Sequence, residues 1–228
     1  MVDMKRYTAT ALGALMLAAA PLAADALTVT LTSSGGASMT INDGGGGDGD
    51  TNPGAIFVSG STVGGFSFAN LTAVSNDHVT SSELTQTSLN VTGGGAGETL
   101  TIITSDSFSG GSNTPDPSAV TYNLGGSILG GNLSGFGTAG SVSTATVSFD
   151  VATDGTDNFS GGTSTSAVLS DPFTMKSTVT VGQVTTGQTS FTSTVTAAVP
   201  LPAAGLMLLT ALGGLGGAAG LRRRRKAA

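Results

Sequence analysis

The chain has 228 residues, of which 36 are glycine, only 10% charged and 5% aromatic, with no cysteine, no tryptophan and one histidine. Without cysteine there is no disulfide framework, thiolate metal site or thiol nucleophile, and a single histidine rules out chemistry that needs two imidazoles. A formal net charge of −6 excludes a general nucleic-acid binder, which needs clustered Lys and Arg.

In chain order, residues 1–26 read as a secretory signal peptide. Lys5 and Arg6 form a short basic region, an apolar stretch follows to about Ala23, and Ala24 and Ala26 supply the small residues of a cleavage site. The apolar stretch is short for a membrane span and ends at Pro21. Cleavage after Ala26 is favoured over cleavage after Ala24, and the mature chain then starts directly on LTVTLT.

Residues 27–198 are expected to form one β-rich exported domain. Leu27, Val29 and Leu31 alternate with threonines, and Ala145, Val147, Phe149 and Val151 share one parity. Phe173, Met175, Val179 and Val181 do the same, as do Phe191, Val195 and Ala197. Apolar-in, threonine-out alternation describes antiparallel strands with one wet face. Glycine runs, among them Gly35-Gly36, Gly64-Gly65, Gly93-Gly94-Gly95, Gly125-Gly126, Gly130-Gly131 and Gly161-Gly162, are expected at turns. Many short strands between such turns favour an antiparallel β-sandwich of the jelly-roll or immunoglobulin-like kind. A β-helix is the alternative, and no fixed-length repeat supports it. Phe57, Phe66, Phe68, Phe108, Phe149, Phe173 and Phe191 are the expected large core residues.

Twelve acids against one base, Lys176, give the 27–198 segment a charge of 1 − 12 = −11, because the basic residues sit in the two ends. Candidate chemistry in this segment is thin. Asp48, Asp50 and Asn52 place oxygen ligands at alternate positions of a glycine-rich loop, as a calcium site requires. Gly54 arrives one residue late for an EF-hand loop, and Ser59 stands where its bidentate Glu belongs; a polar turn is the competing reading. Asp154 and Asp157 form a weaker cluster. His78 beside Asp77 belongs to no catalytic motif, and no carboxylate spacing singles out a glycosidase pair. No enzyme activity is expected, and no cofactor apart from this calcium candidate.

Residues 204–221 (AGLMLLTALGGLGGAAGL) are 18 positions without a charge, about 27 Å of helix, and they read as a transmembrane helix. Arg222, Arg223, Arg224 and Arg225 open a basic tail, 222–228, that stays cytoplasmic. Gly213/Gly217 and Gly216/Gly220 have the spacing of close helix contacts in lipid. Before the span stands Val199-Pro200-Leu201-Pro202-Ala203, whose prolines hold Val199 and Leu201 extended.

Residues 199–228, with proline motif, glycine-rich span and arginine end in contact and in order, resemble the VPLPA variety of the PEP-CTERM sorting signal. The resemblance implies a membrane exosortase as partner, a cysteine transpeptidase that cuts near the motif. The recognition positions are then Val199, Pro200, Leu201, Pro202 and Ala203. Leu201 stands where the name-giving form carries Glu. The resemblance further implies export through the inner membrane, transient anchoring there, and a final place at the cell surface or outside it, among extracellular polysaccharide. Two roles for the domain follow as expectations: a structural protein of the surface or matrix, or a lectin-like module, calcium-assisted through the Asp48 loop. The absence of Trp, with Tyr122 the single Tyr of the domain, favours the structural role.

Overall fold

A computed structural model describes residues 27–77, 81–95, 97–109 and 118–198, together with Thr210. Its strands are β1 (Thr28–Ser33), β2 (Ser38–Asn42), β3 (Ala55–Val63), β4 (Phe66–Asp77), β5 (Ser81–Gly93) and β6 (Thr99–Phe108). There follow β7 (Ser118–Ala139), β8 (Val142–Ser143), β9 (Val147–Ala167) and β10 (Phe173–Ala198). Every pairing is antiparallel, which excludes the parallel rungs of a β-helix among the described residues. Among them no helix is long and apolar enough to cross a membrane.

Three long strands organise the molecule. One edge of β10 pairs with β7 along nearly its whole length; the other pairs first with β6 and then with β5. Ser177 and Ser193 lie 16 residues apart in β10, yet their hydroxyls are 2.8 Å apart. A straight strand would separate them by about 53 Å, so β10 folds over on itself. The strand β7 folds likewise, since Tyr122 in its first half lies against Gly135 and Gly137 in its second. In β9, Gly161 faces Val147 and Phe149. The result is two layers closed toward a barrel. The first is β2-β1-β6 with the early half of β10, the late half of β7 and the start of β9. The second is β3-β4-β5 with the remaining halves.

The fold-over points explain several glycines. Gly130 and Gly131 have φ of 60° and 121°, and the β7–β9 register shifts there. Only glycine adopts such angles cheaply, and a bulge of this kind re-aims a strand. Three expected turns, Gly125-Gly126, Gly130-Gly131 and Gly161-Gly162, therefore lie inside strands. The Gly64-Gly65 expectation holds: both residues have positive φ and close the two-residue hairpin between Val63 and Phe66. Gly35-Gly36 falls in the β1–β2 connection and Gly94-Gly95 in the β5–β6 connection.

Inward residues follow the alternation read from the sequence. Val29, Leu31, Phe66, Leu71, Leu84, Leu100, Ile102, Val179, Val181, Phe191 and Val195 are buried between the layers. Two expected core phenylalanines are not: Phe57 is half-buried on the outer face of β3, and Phe149 is half-buried where it tilts against Phe159 at 4.6 Å. The edge position of β9 leaves Phe149 one neighbour short. Ala145 is exposed and precedes β9 rather than belonging to it. Tyr122 is fully buried in the core, filling space that Gly135 and Gly137 leave empty.

A polar stripe crosses this apolar interior. Thr104 of β6 donates to Gln86 of β5 at 2.7 Å, and Ser177 pairs with Ser193, so both bonds run from one layer to the other. The registers place Thr104 beside Ser177 and Gln86 beside Ser193. The four side chains are thus neighbours, and all are buried. The Tyr122 hydroxyl lies beside the serine pair without a well-formed bond to either, and Gln86 Nε2 has no hydrogen-bond partner among the described residues. Burial pushes the Tyr122 phenol well above its ordinary value, against a weaker downward pull from Ser193 and Ser177.

Candidate functional site

The residues of the sorting reading, Val199 to Ala203 and Arg222 to Arg225, lie outside the described residues, as do Ala24, Ala26, His78 and the glycines of the apolar span. Ala198, the last described residue before the motif, lies in β10, and the first strand begins at Thr28, two residues after Ala26.

The Asp48 loop is described in full and is built as a set of turn braces. Asp48 Oδ1 accepts the N–H groups of Asp50 at 2.9 Å and Phe57 at 3.0 Å, and Oδ2 accepts that of Gly44 at 2.9 Å. Asp50 Oδ1 accepts the backbone N–H and side-chain Nδ2 of Asn52 at 2.9 and 2.7 Å. Asp43 Oδ2 takes Gly54 N–H at 2.6 Å. Slight burial works to raise the Asp48 pKa, but the N–H donors of Phe57, Asp50 and Gly44 outweigh it and hold the carboxyl below its ordinary value. Both Asp48 oxygens and one oxygen of Asp50 thus brace the turns of the segment itself. Among the described residues no three His, Cys, Asp or Glu side chains gather as a metal site requires. Asp43 is the brace that reading the sequence missed, because its partner lies 11 residues away.

Asp77 ties the end of β4 to the start of β5 and the end of β6. It accepts Ser82 Oγ at 2.9 Å and the Ser109 hydroxyl and N–H at 2.9 and 3.2 Å. An open depression of about 510 Å³ lies between Gly140-Ser141 and the Val168–Thr174 segment. No charged side chain lines it, and Val168 at its rim is 61% exposed.

The most ordered chemical feature is the outer face of the first layer. Strand registers line up Ser38, Thr32, Thr101, Thr180, Ser134 and Ser148, one from each of β2, β1, β6, β10, β7 and β9. At about 4.8 Å per strand this row of hydroxyls is about 24 Å long. Ser38, Thr32 and Ser148 are exposed and the other three half-buried. Neighbours touch hydroxyl to hydroxyl, Thr32 to Ser38 at 3.3 Å and Thr101 to Thr180 at 3.4 Å. One pleat along, the adjacent row runs Thr40, Thr30, Ile103, Thr178 and Phe136. Phe136 is therefore a half-buried aromatic on a solvent-facing sheet surface, and neither row carries a charge.

The second layer's outer face is less regular. Thr85–Thr194 and Thr87–Thr192 pair at 3.3 and 3.1 Å, but Glu83, Val74 and the 43% exposed Leu89 interrupt the field. The hydroxyl row was hidden in the sequence because it depends on which residues of distant strands fall opposite one another.

No family profile matches the chain, and no curated protein matches it. Two solved structures show a weak likeness. One is the enzymatically active domain of bacteriophage CBA120 tailspike protein 4, at 10% identity and a TM-score of 0.25 over 66% of this chain; the chain spans 20% of that domain's length. The other is a carbohydrate-binding module from the β-sandwich superfamily, at 12% identity and a TM-score of 0.21 over 74% of this chain and 70% of that one. At these TM-scores neither likeness bears on function, and the all-β antiparallel architecture stands on the strand pairings themselves.

Proposed function

We propose that the chain is an exported structural protein of the cell surface or extracellular matrix, released from a transient membrane anchor by an exosortase and residing among polysaccharide. In this reading residues 1–26 direct export, 204–221 span the inner membrane, Arg222 to Arg225 stop translocation, and the enzyme grips Val199 to Ala203. The observation that carries it is the order of proline motif, uncharged span and arginines directly after Ala198, so that a cut in 199–203 falls beyond every described strand. The catalytic groups belong to the enzyme, and the chain itself needs none.

The body of the protein suits this role. Main-chain ladders and hydroxyl pairs hold it together, and its strongly acidic charge favours solubility outside the cell. The test is the mass of the mature C-terminus. In cells with a working exosortase the chain is expected to end within or near 199–203, and P200A/P202A to retain its last thirty residues. A wild-type chain still carrying them in such cells overturns the reading.

A glycan-binding role is the second reading. It is favoured by the uncharged hydroxyl field on the first layer, since sugars are recognised by hydroxyl donors and acceptors beside apolar contact.

A further inference from the structure

We infer that the outer face of the first layer binds a neutral, linear polysaccharide whose chain lies across the strands, along the row from Ser38 to Ser148. The inference rests on the placement of the domain among polysaccharide and names the class of polymer it meets. Three observations carry it.

The first is charge. All eleven positions of the two rows are hydroxyl or apolar residues and hold no ionised group; Lys176, the one base of the domain, stands one pleat beyond Thr178 on the same face. A segment of net charge −11 repels an anionic polymer over several ångströms at ordinary ionic strength, so the complementary partner is uncharged.

The second is repeat. Adjacent strands present equivalent hydroxyls every ~4.8 Å, close to the length of one sugar in an extended glycan. Successive sugars therefore meet the same donor and acceptor in turn, and six strands accommodate about five of them. A hydroxyl both donates and accepts, so each can leave its sheet neighbour and bond a sugar hydroxyl at little cost. The row is open at both ends, at β2 and at β9, as a polymer requires.

The third is the apolar strip beside it. Phe136 and Ile103, with Thr178 between them, offer a surface to the C–H faces of sugar rings, while the row offers hydrogen bonds to their edges. Phe136 is the one aromatic side chain of this face's two rows, and it sits next to Ser134 on the same strand.

Individually weak contacts summed along a polymer predict affinity that rises with chain length up to about five sugars and levels off beyond. The test uses the full chain in a sugar-free detergent, titrated calorimetrically with cellohexaose, chitohexaose and maltohexaose, their trisaccharides, and polygalacturonate. At least one neutral hexasaccharide is expected to bind, about tenfold or more tighter than its trisaccharide. T101V/T180V and, separately, F136L are each expected to weaken it about fivefold. T85V/T194V, the matched hydroxyl pair on the other layer, is expected to leave it unchanged. Both valine pairs keep β-branched shape and are checked for unchanged melting. No binding of any neutral hexasaccharide, binding of polygalacturonate alone, or equal weakening by T85V/T194V overturns the inference. The C-terminal mass of the wild-type chain in cells, set beside its glycan binding, separates the two readings. Normal cutting with no glycan binding removes this face alone, whereas intact binding in an uncut chain removes the sorting reading alone.

Discussion

Asp48 and Tyr122 show how single side chains are used here. Asp48 binds three backbone N–H groups, so its folded carboxyl titrates below its ordinary value near 3.8. The stability it contributes is therefore present above pH 4 and is lost as pH falls through the lower folded value. Hydrogen-exchange protection of Gly44, Asp50 and Phe57 should be constant from neutral pH to about 4 and decline below it. D48N keeps one acceptor of the two, and its melting temperature should fall by no more than about 3 °C, because the loop is largely solvated. Millimolar calcium should leave both wild type and D48N unshifted, as the oxygens are already committed. Tyr122 is the opposite case, a large ring whose hydroxyl is poorly paired. Y122F should change stability by less than about 1 kcal/mol, while Y122A should cost about 3–5 kcal/mol by opening a cavity over Gly135 and Gly137. Chemical denaturation of the three chains checks this directly.

At the scale of elements, strand existence was legible and strand length was not. The parity of Phe173, Met175, Val179 and Val181, and of Phe191, Val195 and Ala197, marked two inward stretches that are two halves of one 26-residue strand. Nothing local tells a reader that a strand passes through a bend, and Gly130-Gly131 has the same composition whether it ends a strand or folds one over. Parity also held for residues whose polarity argued against it. Ser177 and Ser193 occupy inward positions between apolar neighbours, and the sequence offers no partner for either until β10 is folded and their hydroxyls meet. The same holds for Gln86 and Thr104. The interlayer bond between them should be visible as coupling. T104V strands both ends of the buried Gln86 amide and should cost about 1–3 kcal/mol, whereas T104V/Q86L should recover at least half of that loss. Additive losses would show that the two side chains do not interact. Replacing both Gly130 and Gly131 by alanine should destabilise more than either interlayer change, since each would carry a Cβ at positive φ.

The whole molecule joins a long-range, hydrogen-bonded body to short sequence signals at its ends, and the two kinds of information sit in different places. The ends are read from order and contact of residue types, which needs no fold: a proline pair, an uncharged run, then arginines. The body's candidate binding face needs the fold first, because Ser38 and Ser148 become members of one row through five successive strand registers. For that reason Phe136 carried no meaning in the sequence, where it was one phenylalanine in a glycine-rich stretch. The calcium candidate went the other way. Its spacing was suggestive, and in the folded loop both Asp48 oxygens accept the backbone N–H groups of Gly44, Asp50 and Phe57.

The proposed cut within 199–203 falls beyond every described strand and so removes none of them. It is tested most directly by intact-mass measurement of the chain recovered from exosortase-bearing and exosortase-deleted cells. The account predicts a species ending within or near 199–203 in the first and an uncut C-terminus in the second, with the same melting temperature for both. A chain of identical mass in the two strains, or a cut form that melts well below the uncut one, contradicts it.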